Sequence, residues 1–257
     1  LELTLSKNQI SKKKMKVLNR KRVNSSVIKF VYIWKKKLEK IMIFNLGKQN
    51  SIANKYLAEL RDVSIQKDRM RFRRNMERIG EVLAYEISKT LKYKEIEVET
   101  PLGIASVKVP SHRIVLGTIL RAGLPLHQGA LNIFDDAENA FISAYRMHHK
   151  DGTFEINIEY TSCPNLDGCI LILCDPMLAT GASMDLAIKA LKDYGTPKTV
   201  HVMTAVASSY GLNHIQRLNP NVKLWIGAED DELTAKSYIV PGLGDAGDLS
   251  FGSKMQD

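Results

Sequence analysis

Gly168-Cys-Ile-Leu-Ile-Leu-Cys-Asp-Pro-Met-Leu-Ala-Thr-Gly-Ala-Ser183 decides the fold. Its first half is an unbroken apolar run, the pattern of a parallel strand buried on both faces, and the run ends on Asp175. A loop of small residues follows. Residues 183–194 then carry Met184, Ala187, Ile188 and Leu191 on one helical face, with Ser183 available as N-cap and Gly195 as the stop. In open α/β sheets, ligands gather outside the carboxyl ends of such strands. Loop 179–183 offers the hydroxyls of Thr180 and Ser183, plus backbone N–H groups at the positive end of a helix. That cradle suits a phosphate monoester without any lysine. Asp175, just upstream, is placed to hold ribose hydroxyls. Read alone, the loop fits a plain strand-to-helix turn equally well.

Working outward, residues 114–120 and 200–206 repeat the buried apolar run, each followed by a helical pattern, and 141–145 and 222–226 are further strand candidates. Repeated βα units predict one α/β domain with a mostly parallel twisted sheet flanked by helices. Upstream, residues 66–91 read as one long helix, because Met70, Phe72, Met76, Ile79, Val82, Leu83 and Ile87 mostly return every three or four positions. Segments 96–100 and 104–109 flank Pro101-Leu102-Gly103 and predict a two-stranded ribbon. Between residues 147 and 163, Asp151-Gly152 and the alternation of 154–160 predict a protruding hairpin.

The chain has 257 residues, 44% hydrophobic and 25% charged. Such a length buries roughly 70 to 75% of the surface its unfolded form exposes, so neither disulfides nor a structural metal are needed. No run of about 18 apolar residues exists, so no helix spans a bilayer. The formal net charge of +9 invites a nucleic-acid reading, but its distribution argues against one. Residues 1–41 hold thirteen Lys and Arg against two acids, a surplus of +11, which leaves 24 basic and 26 acidic residues, or −2, for 42–257. The expectation is a basic extension over 1–41 outside the fold, from a mis-set start or translated upstream sequence, and a domain over 42–257. The alternatives are a disordered polybasic arm for RNA or anionic lipid and a targeting peptide. The latter is disfavoured by Lys29 and by Lys35, Lys36 and Lys37, where small residues would be needed. Cys163, Cys169 and Cys174 are odd in number, clustered and without a C-x-x-C, as buried thiols of a reducing compartment would be. His112, His127, His148, His149, His201 and His214 show no zinc-ligand spacing. The adjacent His148 and His149 are expected on the surface.

Three separated stretches carry a resemblance. Asp175-Pro-Met-Leu-Ala-Thr-Gly181, Ile119-Leu-Arg-Ala-Gly-Leu124 and Tyr238-Ile-Val-Pro-Gly-Leu-Gly-Asp-Ala-Gly-Asp248 together resemble the uracil phosphoribosyltransferases, a branch of the type I phosphoribosyltransferase family. In that family a strand delivers acid into a Thr-Gly loop that binds 5-phosphoribosyl 1-diphosphate (PRPP); here Pro176 replaces the second acid. The resemblance covers about residues 50–257, takes in Ala144-Tyr-Arg146 and Phe251-Gly252, and leaves 1–41 outside. It implies a type I phosphoribosyltransferase-like α/β fold with a small β-hairpin lid and N-terminal helices. It also implies a cytoplasmic enzyme of pyrimidine salvage that makes UMP and diphosphate from uracil and PRPP with Mg²⁺. Activation by GTP and assembly into homo-oligomers, dimers or tetramers, are family traits that no residue here proves.

Carried over residue by residue, the resemblance implies that Arg121 and Arg146 engage the diphosphate. Asp175, Pro176, Met177, Leu178, Ala179, Thr180, Gly181, Ala182 and Ser183 would bind the ribose 5-phosphate. Asp245 would help to hold PRPP, and Ile239, Gly244, Asp245 and Ala246 would frame uracil. Asp175, Arg121 and Asp245 are the implied catalytic group. Two Arg forks and Mg²⁺ suit a departing diphosphate, although either arginine taken alone reads as a surface ion-pair partner. Uracil presents a donor flanked by acceptors, which backbone groups of a Gly-rich loop can read, and cytosine would leave buried groups unpaired. No His lies in any of the three motifs, so the general base for uracil N1 stays unassigned. Ala182 stands where the family usually has Gly; a positive φ there would cost on the order of 1 kcal/mol. Residues 242–247 match G-x-G-x-x-G, but only ten residues follow, too few for a dinucleotide-binding unit. No Walker motif occurs. The rival reading is a phosphoribosyltransferase-fold regulator that senses nucleotide and binds RNA through the basic arm.

Overall fold

The computed structural model describes residues 43–148 and 154–254; the basic extension, His149 and the tip of the 147–163 hairpin lie outside them. In chain order the elements are β1 (Ile43–Asn45), α1 (Ala53–Arg61), α2 (Arg69–Ser88), β2 (Tyr93–Thr100), β3 (Gly103–Pro110), β4 (Ile114–Leu120), α3 (Leu124–Leu131), β5 (Glu138–His148) and β6 (Phe154–Ser162). There follow β7 (Ile170–Cys174), β8 (Met177–Leu178), α4 (Ala182–Leu191), β9 (Thr199–Ser208), α5 (Ser209–Leu218), β10 (Lys223–Asp230), β11 (Glu232–Leu233), β12 (Ile239–Val240) and α6 (Ala246–Phe251).

The central sheet runs β1-β10-β9-β7-β4-β5-β6, with β8 added to β9. Every pairing is parallel except β5 with β6 at the edge. This is the mostly parallel, helix-flanked α/β sheet that the repeated βα pattern predicts. The middle strands are apolar throughout because both of their faces are covered. Along β7, Ile170, Ile172 and Cys174 pack with α1, α2 and α3, whereas Leu171 and Leu173 pack with α4 and α5. In the register of β4 and β7, Thr118 lies opposite Cys174, so the two strands deliver their carboxyl ends side by side.

Helix α2 is three residues shorter at each end than the apolar stripe suggests. Asp68 caps it, accepting a hydrogen bond from Arg71 N at 3.0 Å. Phe72, Met76, Ile79, Leu83 and Ile87 are buried, but Met70 is 67% exposed. Two residues before Phe72 is about 200° round the helix, which puts Met70 on the opposite face. The ribbon is longer than predicted: β2 and β3 pair from Tyr93↔Pro110 to Thr100↔Gly103, leaving Pro101 and Leu102 as the turn. A hairpin β5–β6 forms, but its first strand begins at Glu138, well before the 147–163 segment expected to make the whole hairpin, and Arg146 lies in it opposite Ile156.

Cys169 and Cys174 are buried as expected, whereas Cys163 is only partly buried. Burial pushes Cys163 and Cys169 up to about 11, and Cys174 upward too, so all three stay protonated near neutrality. Burial also drives His201 down to about 3, and this neutral ring accepts a hydrogen bond from Trp225 Nε1 at 3.0 Å.

Helices α2 and α3 touch backbone to backbone through two glycines. A Cβ on Gly129 would stand 2.0 Å from Glu77 O, and one on Gly80 would stand 2.3 Å from Leu126 O. Gly129→Ala is therefore expected to force the helices apart at a cost of about 1–3 kcal/mol, a fall in Tm of roughly 2–12 °C by differential scanning calorimetry. Met70→Ala, on the exposed face of α2, should stay within about 0.5 kcal/mol of the parent.

Candidate active site

Three chain segments meet the carboxyl edge of the sheet. The first is the turn after β4. Gly123 N donates to Ile119 O at 3.0 Å and reverses the chain. A Cβ at Gly123 would lie 2.3 Å from Thr118 Oγ1 and 2.8 Å from Cys174 O. Only glycine fits, and the turn therefore rests directly against the end of β7. The Leu120–Arg121 peptide is cis.

The second segment is 175–183. Asp175 is half-buried at the mouth of β7; its N donates to Met203 O at 3.1 Å, and its Oδ1 lies 3.5 Å from Met177 N. Pro176 O accepts from Ala205 N and Val206 N at 3.1 and 3.0 Å, which stitches the loop to β9. Beneath it, Ser208 Oγ donates to Ala179 O at 2.5 Å. A Cβ on Gly211 would lie 2.5 Å from the same carbonyl, so α5 packs tightly under the loop.

The start of α4 differs from the sequence-based expectation. Gly181, with φ +80°, is the N-cap, and Ser183 lies inside the first turn. Thr180 Oγ1 accepts from Ala182 N at 3.3 Å and supplies the local polar contact instead. The left-handed position is Gly181 and not Ala182. Ala182 is the first helical residue, where an L-alanine is at ease. The penalty considered for Ala182 does not arise.

The third segment is 239–252. Ile239 and Ala246 are buried, Gly244 has φ +94°, and the Val240–Pro241 peptide is cis. Asp245 is the N-cap of α6, accepting from Asp248 N at 3.0 Å through Oδ1. The tail joins the turn after β4 directly. Arg121 Nη2 donates to Asp248 Oδ1 at 3.1 Å and to Gly252 O at 2.8 Å. A Cβ on Gly247 would stand 3.7 Å from Ala122 Cβ.

The turn that carries Arg121 thus packs through Gly123 on the end of β7, while the Arg121 guanidinium reaches the tail at Asp248 and Gly252. Arg146 lies on β5, three residues beyond Ser143, the partner of the last residue of β4; its side chain lies outside the described residues. Sequence reasoning passed over Asp248 as a partner of Arg121, and it missed Arg61, Gln66 and Asp230 altogether. Arg61 Nη1 and Nη2 donate to Asp230 Oδ2 and Oδ1 at 2.8 and 2.9 Å. Asp230 Oδ2 also accepts from Gly242 N at 2.9 Å, and Arg61 Nη1 donates to Gly242 O at 3.0 Å. These partners lie 169 and 181 residues apart, beyond any local pattern. Among the described residues no group of three or more His, Cys, Asp or Glu could by itself hold a metal ion.

With this geometry in place, comparison with known proteins is informative. The family model for uracil phosphoribosyltransferase matches residues 48–253. A uracil phosphoribosyltransferase of Porphyromonas gingivalis is 51% identical over 214 residues, which cover 83% of this chain and 99% of the relative. One from Methanothermobacter thermautotrophicus is 43% identical over 183 residues, 70% of this chain and 83% of the relative. Among solved structures, the AQ2163 protein of Aquifex aeolicus superposes with a TM-score of 0.75 at 30% identity, covering 84% of this chain and 100% of that one. The three separated motifs, the parallel sheet that carries them and these relatives agree: the chain belongs to the uracil phosphoribosyltransferase family.

Proposed function

We propose that this chain transfers the 5-phosphoribosyl group of PRPP to N1 of uracil, releasing diphosphate and forming UMP for pyrimidine salvage. The observation that carries the reading is the position of the Arg121 turn, packed by Gly123 against Cys174 O and bonded through Arg121 to Asp248 and Gly252. One turn thereby joins the end of the Asp175 strand, through Gly123, to the Gly-rich tail, through Arg121.

The roles follow from charge and hydrogen-bond supply. The backbone N–H groups and hydroxyls of 179–183, at the amino end of α4, receive the 5-phosphate. The Asp175 carboxylate accepts from ribose hydroxyls. Arg121, joined by Arg146, neutralises charge as the C1–O bond to diphosphate breaks; the electron pair leaves with the diphosphate, and uracil N1 forms the new bond to C1. Backbone groups of Ile239, Gly244 and Ala246 read the edge of uracil, and Asp245 helps to hold PRPP beside it. The general base for N1–H has no assigned residue.

Mg²⁺ fits the donor set in a limited way. The half-buried Asp175 carboxylate is a hard oxygen donor at the strand end, and Mg²⁺ is commonly held by one or two carboxylates, waters and substrate phosphates. Bound there, the ion would supply further neutralisation of the diphosphate. Among the described residues no helix is long and apolar enough to cross a membrane; the cytoplasmic location comes from the family resemblance. GTP as activator and assembly into dimers or tetramers come from the family resemblance. The 147–163 hairpin, beside Arg146, is proposed as a lid that excludes water.

The deciding experiment supplies radiolabelled uracil, PRPP and Mg²⁺, with cytosine, hypoxanthine and guanine as competitors. Labelled UMP that resists all three competitors is expected. No UMP, together with RNA affinity that collapses between low and moderate salt, would replace the enzyme with the regulator. In the same assay, Asp175→Asn and Arg121→Ala should each lower kcat by about 10²–10³, and Asp245→Ala should abolish product with either substrate in excess. Full activity in any variant removes that residue from the site.

The phosphate loop has its own signature. Gly181→Ala puts a side chain at φ +80° and 3.2 Å from Gly211 O, so its KM for PRPP should rise about tenfold, matching a cost on the order of 1 kcal/mol or more. Ala182→Gly should leave that KM within about twofold, since a helical position gains nothing from left-handed freedom. Steady-state kinetics with PRPP varied at fixed uracil distinguishes the two.

A further inference from the structure

We infer that Arg61, Asp230 and Gln66 are positioning residues that hold the base-reading loop, Gly242 to Ala246, in the shape uracil needs. The inference rests on the reading of that loop as the uracil site and adds residues that lie outside the three motifs.

The loop is anchored to the core by the buried side chains of Leu243 and Ala246, but its main chain between them has little regular pairing. Its only local ladder is the two-pair sheet Glu232↔Val240 and Leu233↔Ile239. Gly242 and Gly244 have φ of +57° and +94°, conformations in which glycine carries maximal backbone freedom when unfolded. A Cβ on Gly242 would lie 2.1 Å from Ile239 O, so the turn is tight as well as left-handed. A loop that reads a base through its main chain must hold its donors and acceptors within about 0.5 Å of the productive geometry. Something outside the loop has to pin it.

The ion pair does so by enclosing one residue. Gly242 N donates to Asp230 Oδ2, Gly242 O accepts from Arg61 Nη1, and Arg61 and Asp230 are themselves joined by two parallel bonds of 2.8 and 2.9 Å. Both main-chain polar groups of Gly242 are therefore fixed to a pair whose carboxylate side chain is only 7% exposed. A lysine could carry the charge but not this arrangement, because the fork geometry needs the planar guanidinium. Arg61 ends α1, and α1 is tied to α2: Arg71 Nε and Nη2 donate to Glu59 at 3.0 and 2.9 Å, and Asn75 Nδ2 donates to Glu59 Oε2 at 2.7 Å.

Gln66 completes the frame. It is 8% exposed, and its Nε2 donates to Leu60 O and Arg61 O at 3.2 and 3.0 Å. These bonds orient the amide so that Oε1 lies 4.0 Å from where a Cβ on Gly244 would stand. The amide thereby fixes the carbonyl end of α1, from which Arg61 reaches Gly242, and stands beside Gly244 without a bond to it.

Such a frame acts mainly on uracil, and on PRPP only through Asp245. Loosening it should weaken uracil binding while leaving the PRPP segment, stitched separately to β9 and α5, in place. The test uses Arg61→Lys and Gln66→Leu in the full-length protein, with each substrate varied in turn and hydrogen–deuterium exchange followed by mass spectrometry. The expected result is a uracil KM raised at least about tenfold, with a smaller rise in PRPP KM passed on through Asp245, and faster exchange over 241–247 but not over 175–183. Unchanged exchange over 241–247, exchange that quickens equally over 175–183, or a PRPP KM that rises as much as that of uracil, overturns the positioning role while the enzyme reading stands. If Arg61→Lys fails to fold, Gln66→Leu, which removes no charge, carries the same test. Absence of UMP formation by the parent protein would remove the functional reading itself, and the role of these residues with it.

Discussion

The carbonyl of Cys174 and the missing side chain of Gly123 set the geometry on which the rest depends. Parallel strands buried on both faces must end at a common edge, and the chain leaving β4 has to turn within van der Waals reach of the end of β7. With a Cβ position 2.8 Å from Cys174 O and 2.3 Å from Thr118 Oγ1, that turn closes only around glycine. Arg121, two residues earlier, is carried to the seam between the two strands. The tail then reaches the same seam from more than 120 residues further along the chain, through the bond from Arg121 to Asp248. A larger residue at 123 would move the arginine from both of its neighbours, so the close approach precedes any question of charge.

The two ion pairs of the region differ in what they can do. Arg121 and Asp248 are 40% and 37% exposed at their side chains. Exposed pairs contribute about 0.2–1 kcal/mol, so an incoming diphosphate can compete for Arg121 at little cost. Arg61 and Asp230 are 24% and 7% exposed, bidentate, and share Gly242. Removing one partner of a well-buried pair leaves the other charge stranded, at about 3–5 kcal/mol in favourable cases. The exposed pair is suited to exchange and the buried one to staying put, which is the division expected between a group that meets substrate and a group that fixes a loop.

What could be seen in the sequence was what depends on near neighbours. The apolar runs of β4, β7 and β9 announced buried parallel strands because double burial leaves no alternation, and the stripe from Phe72 to Ile87 announced α2. Boundaries were less legible. Gly181 and Ser183 are both acceptable helix starters, and only the φ of +80° at Gly181 shows which one begins α4. Met70, although counted in the stripe, stands two residues before Phe72, out of step with the helical repeat, and faces away from the core. The motif residues of the site were legible as chemistry, Asp175 at a strand end and Thr180 beside a helix start. The ion pair of Arg61 with Asp230 was not, since nothing in the vicinity of either residue distinguishes it from a surface charge. Long-range partners become visible only when the sheet order, with β10 placed between β1 and β9, brings the end of α1 beside the end of β10.

That asymmetry follows from how the two substrates are recognised. A phosphate is bound by an electric field, to which several N–H groups and a helix end contribute together, so the relevant residues sit within one short segment and leave a compact signature. A flat heterocycle is bound by the directions of a few hydrogen bonds, and directions supplied by a main chain depend on whatever holds that chain still. In this fold the loop proposed to read the base has a two-pair ladder, two left-handed glycines and the core-buried Leu243 and Ala246, and Arg61 of α1 and Asp230 of β10 bond both main-chain groups of Gly242. Discrimination between uracil and cytosine depends on leaving a buried donor or acceptor unpaired in the wrong complex. A loop free to shift by an ångström would recover that bond and lose the discrimination. The selectivity of the site is therefore a property of its scaffold as much as of the residues that line it.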